Sequence, residues 1–184
     1  MKRVRIEGLL YLLGFALSIP AANWLIGHVG TACVPGGPCV IPVAPHIMAP
    51  SGVLMIGAAL VLRDLVQRRL GLHWSVAAIL GGAALSAVLA PASLVVASAC
   101  AFLFSEFADL AVYTPLQRRR LVLAVAASAA LGLVVDSIVF LYLAFGDLTF
   151  LPGQVIGKAW MVALSLPLIF RLRERDARLG IEPA

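Results

Sequence analysis

Four ionisable residues stand inside apolar stretches of this chain. Glu106 and Asp109 lie in Ala92–Tyr113, Asp136 in Leu121–Phe145 and Lys158 in Gly153–Phe170. A charge near the centre of a bilayer costs about 3 kcal/mol on insertion scales, so four in a small chain point to a buried polar site. Helical spacing decides which of them can meet. Glu106, Asp109 and Tyr113 are spaced i, i+3, i+7 on one face, and Phe102 continues that face outward. Asp136 and Phe140 are four apart, with Ser137 adjacent, and Gln154 and Lys158 are also four apart. At 1.5 Å per residue, Glu106 lies about 20 Å from the outer end of its stretch, Asp136 about 15 Å and Lys158 about 9 Å. Glu106 and Asp136 therefore approach one level, and Lys158 reaches them on its long stem. Asp109 and Tyr113 lie deeper. Fully ionised, the four groups would sum to −2, which a low-dielectric interior does not hold uncompensated. Either a carboxyl keeps its proton or a ligand donates hydrogen bonds. Lys158 is expected to pair with Asp136 or Glu106. A purely structural ion pair joining the last three stretches is the competing reading, and it does not account for three acids.

The elements that position these groups follow from composition. Of 184 residues, 62% are hydrophobic and 12% charged, with mean hydropathy +1.03. A soluble domain is about half apolar and about a quarter charged. Disorder needs few apolar residues and many charges. The composition excludes both and leaves the bilayer as solvent. Six stretches are long enough to cross it: approximately 8–28, 46–62, 74–89, 92–113, 121–145 and 153–170. Pro91 separates the third from the fourth. The expected fold is an all-α integral membrane protein, one transmembrane domain over residues 1–184 with six helices. Thirteen of the 14 Lys and Arg residues then fall on one side, Arg63, Arg68 and Arg69 among them as a connection between spans two and three. The positive-inside rule places both termini in the cytoplasm. A cleaved signal peptide over residues 1–22 is the rival reading, but the apolar run continues through Trp24, Leu25 and Ile26.

Small residues mark the faces expected to touch protein rather than lipid. They are Ala78, Gly82, Ser86 and Ala90 on span three, and Ala97, Ala101 and Ser105 on span four. Ser128 and Gly132 on span five lead by the same step of four to Asp136. An alanine-rich composition alone is the alternative. The connection Val29–Pro45 either covers a cavity or is a plain linker. Its Cys33 and Cys39 flank Val-Pro-Gly-Gly-Pro and are read as a disulfide or free thiols ahead of a zinc site with His28 and His46. Cys100 reads as a packing residue. Trp24, Trp74 and Trp160 read as interfacial anchors, Pro20 as a kink, and Arg63 and Asp64 as a cap or interhelical pair ending span two.

Several segments together resemble the queuosine-precursor transporter family, also called the vitamin uptake transporter family. They are Ser51-Gly52-Val53 through Leu62-Arg63-Asp64-Leu65-Val66-Gln67, Ser105-Glu106-Phe107-Ala108-Asp109-Leu110-Ala111-Val112-Tyr113, Val135-Asp136-Ser137-Ile138-Val139-Phe140, and Gly153-Gln154-Val155-Ile156-Gly157-Lys158. The resemblance implies a bundle similar to the substrate-binding subunits of energy-coupling-factor importers. It also implies uptake of a deazaguanine base such as 7-cyano-7-deazaguanine, with acidic positions at Glu106, Asp109 and Asp136 and the amide and amine at Gln154 and Lys158. The cysteine-bearing loop matches nothing in the family pattern. A guanine-like base presents a ring N–H beside an exocyclic amine, and a carboxylate accepts both. Phe102, Phe140 or Trp160 could stack on the ring. The expected setting is the bacterial inner membrane. The expected partners are the lipid bilayer and this small molecule, with no nucleic acid, cofactor or metal, and a homodimer left open. The readings weighed against a standalone importer are a binding subunit that borrows a separate ATPase, an intramembrane enzyme and a purely structural protein. The chain lacks a Gly-rich Lys-Ser/Thr nucleotide loop, a His-Glu-x-x-His pair and a Gly-x-Ser-x-Gly element.

Overall fold

A computed structural model describes residues 2–33, 38–90, 94–182 and 184. Six α-helices account for most of them: α1 (Lys2–His28), α2 (Val53–Leu70), α3 (Leu72–Leu89), α4 (Val95–Leu116), α5 (Leu121–Phe145) and α6 (Leu151–Leu179). Five, all but α2, are long and apolar enough to cross a membrane. The burial pattern is the reverse of a soluble protein's. Val88 on α3 is 80% exposed and Leu164 on α6 is 68% exposed, whereas Arg63 and Lys158 are fully buried. An apolar outer surface around a polar interior is stable only in lipid. The chain is a helical, multi-pass membrane protein.

The second stretch departs from the hydropathy reading. Residues 46–50 are not helical. Ile47–Pro50 is strand β3, antiparallel to β2 (Cys39–Ala44), which pairs in turn with β1 (Ala32–Cys33). His46 makes the β2–β3 turn at φ 62°. Proline cannot continue a helix through its missing N–H, so α2 begins only beyond Pro50, at Val53. This moves Arg63, Asp64, Arg68 and Arg69 from a connecting segment into the helix, where all four are buried. α2 packs against each of the other five helices. Its charges make it unlike a membrane span in composition, and its neighbours shield those charges from lipid. The remaining boundaries shift less. Span three begins at Leu72, span four reaches Leu116, span five matches the expected 121–145, and α6 continues past Phe170 to Leu179. Pro91, Ala92 and the loop residues 34–37 lie outside the described residues.

The two ends of the bundle are tied differently. At one end the small sheet rests on α1 and α6. Cys33 and Cys39 form a disulfide. Trp160 Nε1 donates to Val43 O at 2.9 Å, and Ser51 Oγ to Leu25 O at 2.7 Å. At the other end arginines from α2 and α6 converge on two acids. Arg68 and Arg69 both donate to the Asp176 carboxylate at 2.8–3.0 Å. Arg175 Nη2 donates to Glu7 Oε2 at 2.6 Å. This joins the start of α1 to the ends of α2 and α6. The small-residue stripes face inward as expected: Ala78, Gly82 and Ser86, then Ala97, Ala101 and Ser105, then Ser128, Gly132 and Asp136 are buried.

Candidate functional site

A cavity of about 120 Å³ opens among the helices and reaches Pro50 and Gly52 below the sheet. Five of the residues singled out by spacing line it: Glu106 and Phe102 from α4, Asp136 and Phe140 from α5, and Gln154 from α6. Asn23, Ser86, Ser98 and Ser105 add polar groups, of which the sequence marked Ser86 and Ser105 only as small packing residues. Phe102 is held in place from two sides. Its ring lies 5.9 Å from that of Phe15, and a Cβ on Gly82 of α3 would come within 2.6 Å of it.

The two acids facing the cavity are each anchored from behind. Lys158 Nζ donates to Asp136 Oδ2 at 2.6 Å and to Ser137 Oγ at 2.8 Å. Of the two pairings left open for Lys158, the one with Asp136 forms. Lys158 is therefore fully buried and does not line the cavity. Its depth is set by a close helix crossing, since a Cβ on Gly57 of α2 would meet the Lys158 carbonyl at 2.6 Å. Glu106 is anchored by Arg63, whose Nε donates to Glu106 Oε2 at 2.9 Å. The same guanidinium donates through Nη2 to Asp109 and lies over the Tyr113 ring, 5.7 Å from its centroid.

Asp109 is thus not a cavity residue. It belongs to a sealed network behind Glu106, made of Arg63, Asp64, Gln67, Asp109, Thr114 and Ser128. Gln67 Nε2 donates to Thr114 Oγ1 at 3.0 Å, and Ser128 Oγ to Asp64 Oδ2 at 3.1 Å. Arg63 and Asp64 are interhelical partners at mid-bundle and do not cap the end of α2. The α5 stripe serves three charged groups in succession. Ser128 reaches Asp64, Gly132 leaves room for Asp109 (a Cβ there would lie 3.2 Å from the Asp109 Cβ), and Asp136 takes Lys158. Two carboxylates with fixed backs and accessible fronts, two aromatic rings and an amide can grip a flat polar molecule through its N–H donors.

A family model described as "Putative vitamin uptake transporter" matches residues 51–172. The chain belongs to the vitamin uptake transporter family. The match begins just before α2 and ends on α6, so it covers every residue of the cavity-lining pair and of the sealed network, and it leaves out α1 and the whole sheet. No curated protein and no solved structure matches the chain. Membership in a transporter family agrees with a cavity that binds a small molecule.

Proposed function

We propose that this chain imports a queuosine precursor, 7-cyano-7-deazaguanine or a related deazaguanine base, into the cytoplasm. The guest sits between Glu106 and Asp136, with Phe102 or Phe140 against its ring and Gln154 at its carbonyl edge. Stacking of this kind contributes about 1–3 kcal/mol per base in nucleic-acid binders. The observation that carries the reading is the pair of carboxylates facing one cavity. Arg63 takes only Oε2 of Glu106, and Lys158 takes only Oδ2 of Asp136. Each acid keeps an oxygen for an N–H donor of the guest. In this reading α2 crosses with the other five helices, in a bundle like that of energy-coupling-factor binding subunits. The disulfide end faces outward and both termini lie in the cytoplasm of a bacterial inner membrane, where the arginine-rich end obeys the positive-inside rule.

The family's description as a vitamin transporter favours one second reading, a binding subunit for another vitamin or purine-like molecule that borrows a separate ATPase module. One pair of measurements tests both. The purified protein is screened for thermal stabilisation by deazaguanines, purines and vitamins. Labelled 7-cyano-7-deazaguanine uptake is then followed in cells lacking their own transporter. Stabilisation and uptake by the unaccompanied chain, both lost in Glu106→Gln and Asp136→Asn, are expected. Stabilisation by an unrelated vitamin alone, or normal uptake by both variants, overturns the proposal.

A further inference from the structure

Asp64 and Asp109 take no part in lining the cavity, yet both are completely buried. They stand on different helices, α2 and α4, yet both reach the same nitrogen, Arg63 Nη2, and Ser128 Oγ donates to Asp64 Oδ2. Arg63 donates to Asp109 Oδ1. Its Nη2 also lies 3.0 Å from Asp64 Oδ1, but without the alignment of a hydrogen bond. One oxygen of each acid, Asp64 Oδ1 and Asp109 Oδ2, is left buried with no donor. The Tyr113 hydroxyl, beside the same carboxyls, is buried and unpartnered as well.

Two ionised carboxylates gathered on one guanidinium nitrogen have only acceptors to offer each other. A protonated carboxyl supplies the missing donor. The charges facing the pair require the same thing. From α2 comes Arg63, with Arg68 a turn away and committed to Asp176. From α4 come Glu106 and Tyr113. From α5 comes Asp136, already matched by Lys158 of α6. One guanidinium therefore faces three acids in a sealed interior, and like charges sharing such a site do not all ionise.

We propose that Asp64 and Asp109 form a proton-binding site, a carboxyl pair that shares one proton behind the cavity and is linked to it through Arg63. This rests on the cavity being the transport site. The link is the division of one positive charge. Arg63 holds Glu106 through Nε and Asp109 through Nη2. A guest that donates N–H groups to Glu106 reduces that acid's demand on Arg63. The guanidinium then stabilises the ionised Asp pair, and the proton leaves. By reciprocity, guest binding tightens as pH rises and removes the proton.

The test begins on the purified wild-type protein without any guest. Infrared spectra at neutral pH are expected to show the C=O stretch of a protonated carboxyl, absent from Asp64→Asn and from Asp109→Asn, whose amides can replace the donor. Proton release is then read with a pH dye in weak buffer on adding 7-cyano-7-deazaguanine. Wild type is expected to release up to one proton per molecule bound, and Asp109→Asn none. Absence of the band in wild type overturns the proposal without reference to any variant's folding. A band that survives in Asp64→Asn and vanishes in Glu106→Gln places the proton on Glu106 and overturns it too. The band with no binding of the deazaguanine supports the proton site and defeats the substrate reading. Binding with the band but without proton release overturns the link through Arg63.

Discussion

The bundle holds two arginine networks with opposite balances. At the arginine-rich end, Arg68, Arg69 and Arg175 share Asp176 and Glu7. At mid-bundle, Arg63 alone faces Asp64, Glu106 and Asp109. The first sits where the helices leave the apolar layer, and Arg175 is partly exposed, so water and counterions can supply what the pairing lacks. The Arg175–Glu7 pair, the exposed one, contributes little, about 0–1 kcal/mol. The second is sealed, and any imbalance must be met by protons, by a guest or by strain. A surplus of base near water fastens helix ends. A surplus of acid in a dry interior has no structural benefit, and that is why the mid-bundle network is the one read as functional.

Substitutions can break or sharpen this contrast. The largest effect is expected from Arg63→Met, which strands three buried carboxyls. A buried partner removed from a pair typically costs about 3–5 kcal/mol, and here one residue serves several acids. The variant should fail to accumulate as a monodisperse membrane protein. Lys158→Met leaves Asp136 without its base beside the cavity and should cost about 2–3 kcal/mol. Adding Asp136→Asn should return part of it, a coupling read from apparent Tm in detergent. Asp176→Asn should cost less, about 1–2 kcal/mol, because the amide oxygen still accepts from the two arginines and Glu7 still pairs with Arg69. Raising the salt concentration should weaken the partly exposed Arg175–Glu7 pair and leave the Arg63 effect unchanged. Trp160→Phe, which removes one hydrogen bond to Val43, should cost about 1 kcal/mol. Equal losses from Asp176→Asn and Arg63→Met would erase the distinction between the two networks.

The residues of the cavity were legible in the sequence because charge is rare in lipid and helical spacing is rigid. Glu106, Asp136, Gln154, Phe102 and Phe140 follow from those two rules. The depth argument also left Lys158 only two acids to choose between. Arg63 was not legible, for a traceable reason. The hydropathy of Ile47–Ala49 pulls the second span back to His46 and pushes Arg63 past its end. Pro45, Pro50 and Gly52 are the contrary signal. A helix starting at Val53 carries Arg63 about 15 Å inside, level with the acids of its neighbours. With Arg63 misplaced, Asp109 was read as a cavity acid. The sheet was hidden by the prolines inside its strands, Pro42 and Pro50, and by the shortness of those strands. Trp160 looked like an interfacial anchor, and its half-exposed ring fits that role, but its N–H is spent on β2.

The central place of α2 has a consequence for how the protein is made. Arg63 emerges from the ribosome 43 residues before Glu106 and 46 before Asp109. Until α4 is synthesised, Arg63 lacks the two acids of another helix that it pairs with. A helix with that burden does not partition into lipid unaided. In the proposed six-span bundle its insertion is therefore delayed, with the segment beside α1 and α3 until the later helix arrives to neutralise it. The order of the gene product thus makes lateral release into the bilayer a collective event rather than a succession of independent ones.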